Sequence, residues 1–231
     1  MLTIWHDFLY QPVFNFLIWV YNNWTDQNLG WAVVYMTIIL RLILLPFSII
    51  SEKNKNKNLE IREKAAQISK AFPNDPIMRK EEIRKVLKTR KVNPWSKAIV
   101  LGAQGLVLVL LYQVFLRGIT GDKVIKILYP FIDYPGKINT TFYGFELGQT
   151  HNSLWALIVA LLLFFEIYRN YRKHKVLLQK GDLAYFFLFP LFTFLLLWML
   201  PMVKSLFILT SMIFSIIITQ ISKIFLKTNK I

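Results

Sequence analysis

The chain of 231 residues contains no cysteine. That excludes disulfides, thiolate metal sites, lipid-anchored cysteines and a cysteine nucleophile. Histidine is nearly as scarce. His6, His151 and His174 are scattered among loops and segment ends, and no side-chain grouping has metal-ligand spacing. Neither a phosphate-binding glycine loop nor a nucleophile elbow occurs. No cofactor and no metal is expected, and the chain reads as non-enzymatic. A second absence is local, since no Lys or Arg precedes Arg41. The opening MLTIWHDFLYQPVFNFLIWVYNNW therefore lacks the basic region of a cleavable signal and reads as mature protein.

What the chain has in quantity is apolar surface, with 55% hydrophobic and 16% aromatic residues. The apolar residues are gathered into runs long enough to cross a bilayer core of about 30 Å. Five spans are expected, at 31–50, 95–116, 153–168, 183–200 and 202–225. The fold class is an all-α integral membrane protein forming a single domain over 1–231. Residues 1–30 form an interfacial segment, and 51–94 a helical hairpin between the first two spans.

The net charge of +15 would suggest nucleic acid if read alone, but its placement suggests membrane topology. Between Ser51 and Lys97 fourteen Lys and Arg face six acids, five more basic residues lie between Arg169 and Lys180, and the tail adds Lys223, Lys227 and Lys230. With five spans these stretches fall on one side of the membrane. The positive-inside rule makes that side the cytoplasm, with the N-terminus outside and the C-terminus inside. The outer loop 118–152 is balanced, with Lys123, Lys126 and Lys137 against Asp122, Asp133 and Glu146.

The N-terminal segment is short and interrupted by Gln11, Pro12 and Asn15. Its Trp and Tyr content suits an amphipathic helix lying on the outer surface. In the hairpin, Asn74-Asp75-Pro76 marks a break, with Asn74 or Asp75 as N-cap and Pro76 at the first helical position. Ile61, Ala65, Ile68 and Phe72 on one side, and Ile83, Val86 and Leu87 on the other, recur at helical spacing.

Arg41 stands in the middle of the first span. An arginine at the centre of a membrane helix costs about 2.5–3.5 kcal/mol on insertion scales. Such a residue either ties helices together or marks a hydrophilic chamber. Thr37 and Ser48 share its face. Gln104 lies in the second span between Gly102 and Gly105, and Glu166 near the end of the third; whether Glu166 pairs with Arg41 is open at this level. In the fifth span Ser211, Ser215, Thr219 and Ser222 form a stripe. Alone, such a stripe most often serves close helix packing. With Arg41 and Gln104 it would line a half-polar cavity, giving Arg41, Gln104, Thr37, Ser211 and Ser215 as the candidate groove residues.

TIILRLILLPFSI, KVNPWSKAIVLGAQGLVLVLLYQVF, FYGFELG and FLFPLFTFLLLWMLP, in this order and spacing, resemble the YidC/Oxa/Alb family of membrane protein insertases, in its bacterial YidC branch without the large periplasmic domain. The resemblance covers roughly 21–225. It implies a positively charged groove open to cytoplasm and lipid, with Arg41 at the family's arginine position and Gln104 at its glutamine position. Nascent membrane proteins would be the substrates, and the ribosome, the Sec translocon and membrane lipids candidate partners, with no role for DNA. The implied location is the bacterial plasma membrane. A long outer loop, a short tail and a fifth span beginning without tryptophan depart from the family pattern. The rival reading is a small anion transporter or channel using Arg41 as its binding site.

Overall fold

The computed structural model describes residues 5–88, 95–116, 124–173 and 180–228. The Asn93-Pro94 start of the expected second span, Lys123 and His174 lie outside the described residues, as do the side chains of His6, Leu87 and Ser222. After a wide helical turn at Trp5–Tyr10 come α1 (Gln11–Trp24), α2 (Leu29–Ile43), α3 (Leu45–Ala71), α4 (Pro76–Lys88) and α5 (Trp95–Leu116). A two-stranded hairpin, β1 (Thr141–Phe142) and β2 (Phe145–Glu146), precedes α6 (Ser153–Lys173), α7 (Lys180–Met199) and α8 (Met202–Thr228).

Among the described residues, Ser153–Arg172 and Met202–Ile221 are each long and apolar enough to cross a membrane. A third span results if α2 and α3, bent by 62°, count as one. α5 and α7 contain shorter apolar stretches, Ala98–Val109 and Ala184–Met199. Leu157, Leu161 and Phe165 on α6 and Phe187, Leu191, Phe192 and Leu195 on α7 are exposed. So many large apolar side chains facing outward suit a lipid solvent.

The first expected span, 31–50, is not one straight helix. It breaks at Leu44, two residues before Pro46. Proline has no N–H for the carbonyl four residues back and its ring crowds that carbonyl. α3 then continues without interruption through the expected boundary at Ser51, so the end of the span and the first arm of the hairpin are one helix. At the hairpin tip Asp75 is the cap, its Oδ1 accepting from the N–H groups of Ile77 at 3.0 Å and Met78 at 2.9 Å. Ile61, Ala65, Ile68, Phe72, Ile83 and Val86 are half-buried.

The other end of the bundle is closed by residues 124–152, and the two ends are called here the hairpin end and the loop end. The polar interruptions of the N-terminal segment are what hold this closure. Asn15 is buried, donates to the carbonyls of Gln11 at 2.8 Å and Ile127 at 2.9 Å, and accepts from the Tyr129 N–H at 2.7 Å. Gln11 donates to the same Ile127 carbonyl. α1 buries Phe14, Leu17, Ile18, Val20 and Tyr21 in one cluster with Leu29, Val33 and Met36 of α2 and Met202, Val203 and Phe207 of α8.

Tyr143 and Gly144 both have positive φ, 48° and 81°, as a two-residue turn that matches strand twist requires. This is the FYGFELG segment. Beyond the turn, the Leu147 carbonyl accepts from Val203 N–H, the Gln149 carbonyl accepts from Met202 N–H, and His151 N–H donates to the Trp198 carbonyl. The connection between α7 and α8 is thereby fixed to the loop plate. Aromatic rings gather at the same end, with Trp31 edge-on to Phe142 and Tyr143, and His151 against Trp198.

Gly30, in the first turn of α2, has no room for a Cβ, which would overlap the Phe142 ring. Gly30→Ala is expected to lower stability by about 1–3 kcal/mol through overpacking. In a Phe142→Ala background, which itself costs about 3–5 kcal/mol, Gly30→Ala should cost much less than it does alone, read as thermal unfolding in detergent micelles.

Candidate functional site: a half-buried guanidinium at the floor of a one-sided cavity

Arg41 lies in the last turn of α2, just before the break, where α2, α5 and α8 meet. Its Nε donates to Ser211 Oγ at 2.8 Å, and Nη2 donates to the same oxygen. Hydrogen-bond complementarity requires the Gln104 amide oxygen to face the guanidinium. So turned, it accepts from Nη1 and Nη2, each at 2.7 Å. The planar fork of arginine is what allows one side chain to join two neighbouring helices at once. Among the described residues no carboxylate pairs with Arg41. Glu166 lies instead within electrostatic range of Tyr185 of α7.

A cavity of about 110 Å³ opens from this point, lined by Arg41, Ser48, Ser51, Glu52, Val100, Phe214, Ser215, Ile218 and Thr219. This is room for several waters, and the walls carry enough polar groups to hold them. All lining residues lie level with Arg41 or nearer the hairpin end. α3 runs away from the loop end after Arg41, α8 does so after Ser211, and Val100 precedes Gln104 on a helix that starts at the hairpin end. On the loop side of Arg41 the same helices contribute Met36, Val107, Leu111 and Phe207, all buried. The chamber is thus polar on one side of the arginine and sealed by apolar packing on the other.

Of the residues expected in a groove, the structure brings Arg41, Gln104 and Ser211 into one hydrogen-bonded group and puts Ser215 in the cavity wall with Ser48 and Thr219. Thr37 is different. It is fully buried one turn toward the loop end, its hydroxyl donates to the Val33 carbonyl, and it does not line the cavity. Sequence reasoning missed Ser51, Glu52, Val100, Phe214 and Ile218. The signal for two of them was present: Ser48, Ser51 and Glu52 stand at i, i+3 and i+4, one face of a helix. That spacing has meaning only once α3 is known to run unbroken through Ile50.

These features define a mostly helical membrane protein whose central cation is held by neutral acceptors at the floor of a one-sided polar chamber. The model of the 60Kd inner membrane protein family matches residues 19–229, and the chain belongs to that family. It is 35% identical over 98 residues to the membrane protein insertase YidC of Clostridium tetani, covering 42% of this chain and 44% of the relative. It is 33% identical over 98 residues to that of Clostridium perfringens, covering 42% and 41%. It is 30% identical over 118 residues to that of Campylobacter jejuni, covering 50% and 21%. The chain spans less than half the length of these curated relatives. With the apolar helices, the bacterial relatives mark a bacterial membrane-embedded protein.

Two outcomes follow from the geometry. Gln104→Leu should destabilise the bundle by about 1 kcal/mol, because a half-buried guanidinium loses its acceptor. Arg41→Met added to that variant should return part of the loss, since a matched apolar pair avoids the unpaired charge; unfolding by denaturing detergent measures both. A cysteine at Ser215 should react with a membrane-impermeant maleimide added from the hairpin side, and one at Val107 should stay unreacted. The cysteine-free chain makes this labelling free of background.

Proposed function

We propose that this chain is a membrane protein insertase that moves polar segments of nascent membrane proteins part-way across the bilayer through the Arg41 chamber. The observation that carries the reading is the one-sidedness of the cavity, with its charged floor in mid-bundle. In this reading the chain is one domain that crosses the bilayer five times, within 31–50, 95–116, 153–168, 183–200 and 202–225. The hairpin of 51–94 and the C-terminus are cytoplasmic, and the N-terminal segment and loop 124–152 face outside. The excess of Lys and Arg at the hairpin end supports that orientation.

The physics of the task matches the site. A charged side chain in hydrocarbon costs several kcal/mol. A hydrated chamber reaching mid-depth shortens the dry distance that a hydrophilic tail must cross. Arg41 draws acidic side chains of the tail inward, and its field is felt more strongly there than in water. Because its acceptors are neutral, the positive charge is uncancelled and available to a carboxylate. Gln104 and Ser211 hold the guanidinium, while Ser215 and the neighbouring hydroxyls keep the wall wet. Thr37 contributes through the packing of α2. Apolar segments of the substrate leave sideways into lipid, driven by their own transfer free energy, so the reaction needs no nucleotide and no metal. The basic hairpin receives the substrate and offers charge to anionic lipid head groups and to the ribosome.

In cells that depend on this chain, Arg41→Ala should reduce insertion of a small membrane protein with an acidic translocated tail at least several-fold. The effect should shrink when the tail acids are replaced by amides, with protease protection of the tail as the readout. Undiminished insertion of the acidic tail would remove the role given to Arg41. Arg41-dependent flux of a small anion through proteoliposomes would favour a transporter instead.

A further inference from the structure

A second cation lies inside the bundle, and the mechanism above does not use it. Lys204, in the first turn of α8, is 6% exposed, and its Nζ stands 3.6 Å from the centre of the Tyr112 ring on α5. Among the described residues no carboxylate pairs with it. Lys204 precedes Ser211 by seven residues, two helical turns, so both lie on one face of α8 about 10 Å apart along its axis. On α5, Tyr112 follows Gln104 by eight residues, about 12 Å in the same direction. The two helices that hold the Arg41 fork therefore also frame Lys204, one storey nearer the loop end. Val107, Leu111 and Phe207, all buried, fill the space between.

The order along this seam is cation, apolar seal, cation. An aromatic face is a weak partner for an ammonium group compared with a carboxylate, so Lys204 keeps most of its capacity for a charged ligand. We infer that Lys204 and Tyr112 form a second station for the acidic side chains of a translocating segment, beyond the seal from Arg41. The inference rests on the insertase reading and extends its preference for acidic tails to a second site beyond the seal. A carboxylate leaving Arg41 meets a second positive centre before it reaches the outer interface, whereas a basic side chain meets repulsion at both stations. The pair would thus favour acidic over basic tails for export on the closed side of the chamber as well as on its open side.

The test compares two tails on one small substrate, one with two aspartates and one with asparagines in their places, inserted by the full chain in depleted cells. Lys204→Met should lower insertion of the aspartate tail on the order of tenfold, with the asparagine tail changed less than about twofold. Lys204→Arg should keep the aspartate tail near its original level. Thermal unfolding of each purified variant separates charge from folding. Equal losses for both tails, an unchanged aspartate tail, or an arginine variant as poor as the methionine one would overturn the second station while leaving the insertase reading intact. If neither tail needs the chain at all, as shown by depletion alone, the insertase reading falls and takes this inference with it.

Discussion

The arrangement turns on one guanidinium that is satisfied without being neutralised. Arg41 donates to an amide oxygen on one helix and a hydroxyl on another, so its hydrogen-bonding capacity is largely met by neighbours that carry no charge. A carboxylate in either place would have cancelled the field and made a helix tie. Neutral acceptors pin the side chain and leave the charge standing, which in a low-dielectric bundle is costly. That cost constrains the surroundings. Water must reach one side of the group, and the helices that supply Gln104 and Ser211 must keep their registers. The hydrophobic effect gives no driving force between helices in lipid, so packing and polar clasps have to hold those registers.

Two devices at opposite ends meet that requirement. At the loop end, Asn15 and Gln11 fasten residues 124–129 to α1, and the backbone of 147–151 fastens the α7–α8 connection. The depth of Ser211 is set by this anchoring of Met202 and Val203, eight to nine residues earlier on the same helix. At the hairpin end, the break before Pro46 swings α3 away from the line of α2 by 62°. Without it, Ser48, Ser51 and Glu52 would continue along the helix that carries Arg41, and the cavity would narrow. The same proline that interrupts the span gives the arginine its access to water.

Much of this was legible in the sequence, for identifiable reasons. A lone arginine in an apolar run, a glutamine between glycines and a hydroxyl stripe at helical spacing are signals of one helix each, and each was readable alone. That Gln104 and Ser211 meet on Arg41 depends on how three helices rotate and slide against one another, which periodicity leaves undetermined. Thr37 shows the limit from the other side. It shares a face with Arg41 by spacing, yet one turn is the depth difference between the wet chamber and the dry seal, and its hydroxyl turns back to its own helix. By local pattern the polar residues of the N-terminal segment only interrupt an interfacial helix. Their partners are more than 110 positions away, and no local pattern announces a clasp over that separation. Glu52 was hidden by a boundary drawn where the composition changes, although the helix does not end there.

The seal also bears on direction. A chamber open at both ends would conduct ions whenever it was empty, and one closed at both would admit nothing. Here the polar lining stops at Arg41, and Met36, Val107, Leu111 and Phe207 occupy the next storey. In the proposed insertase, a polar tail is drawn to the arginine at little cost, but it passes the seal only while its attached apolar segment moves into lipid and supplies the free energy. On that proposal, coupling the two movements would make passage depend on the substrate being a membrane protein. On the same proposal a soluble acidic peptide would reach Arg41 and go back, because nothing follows it into the hydrocarbon.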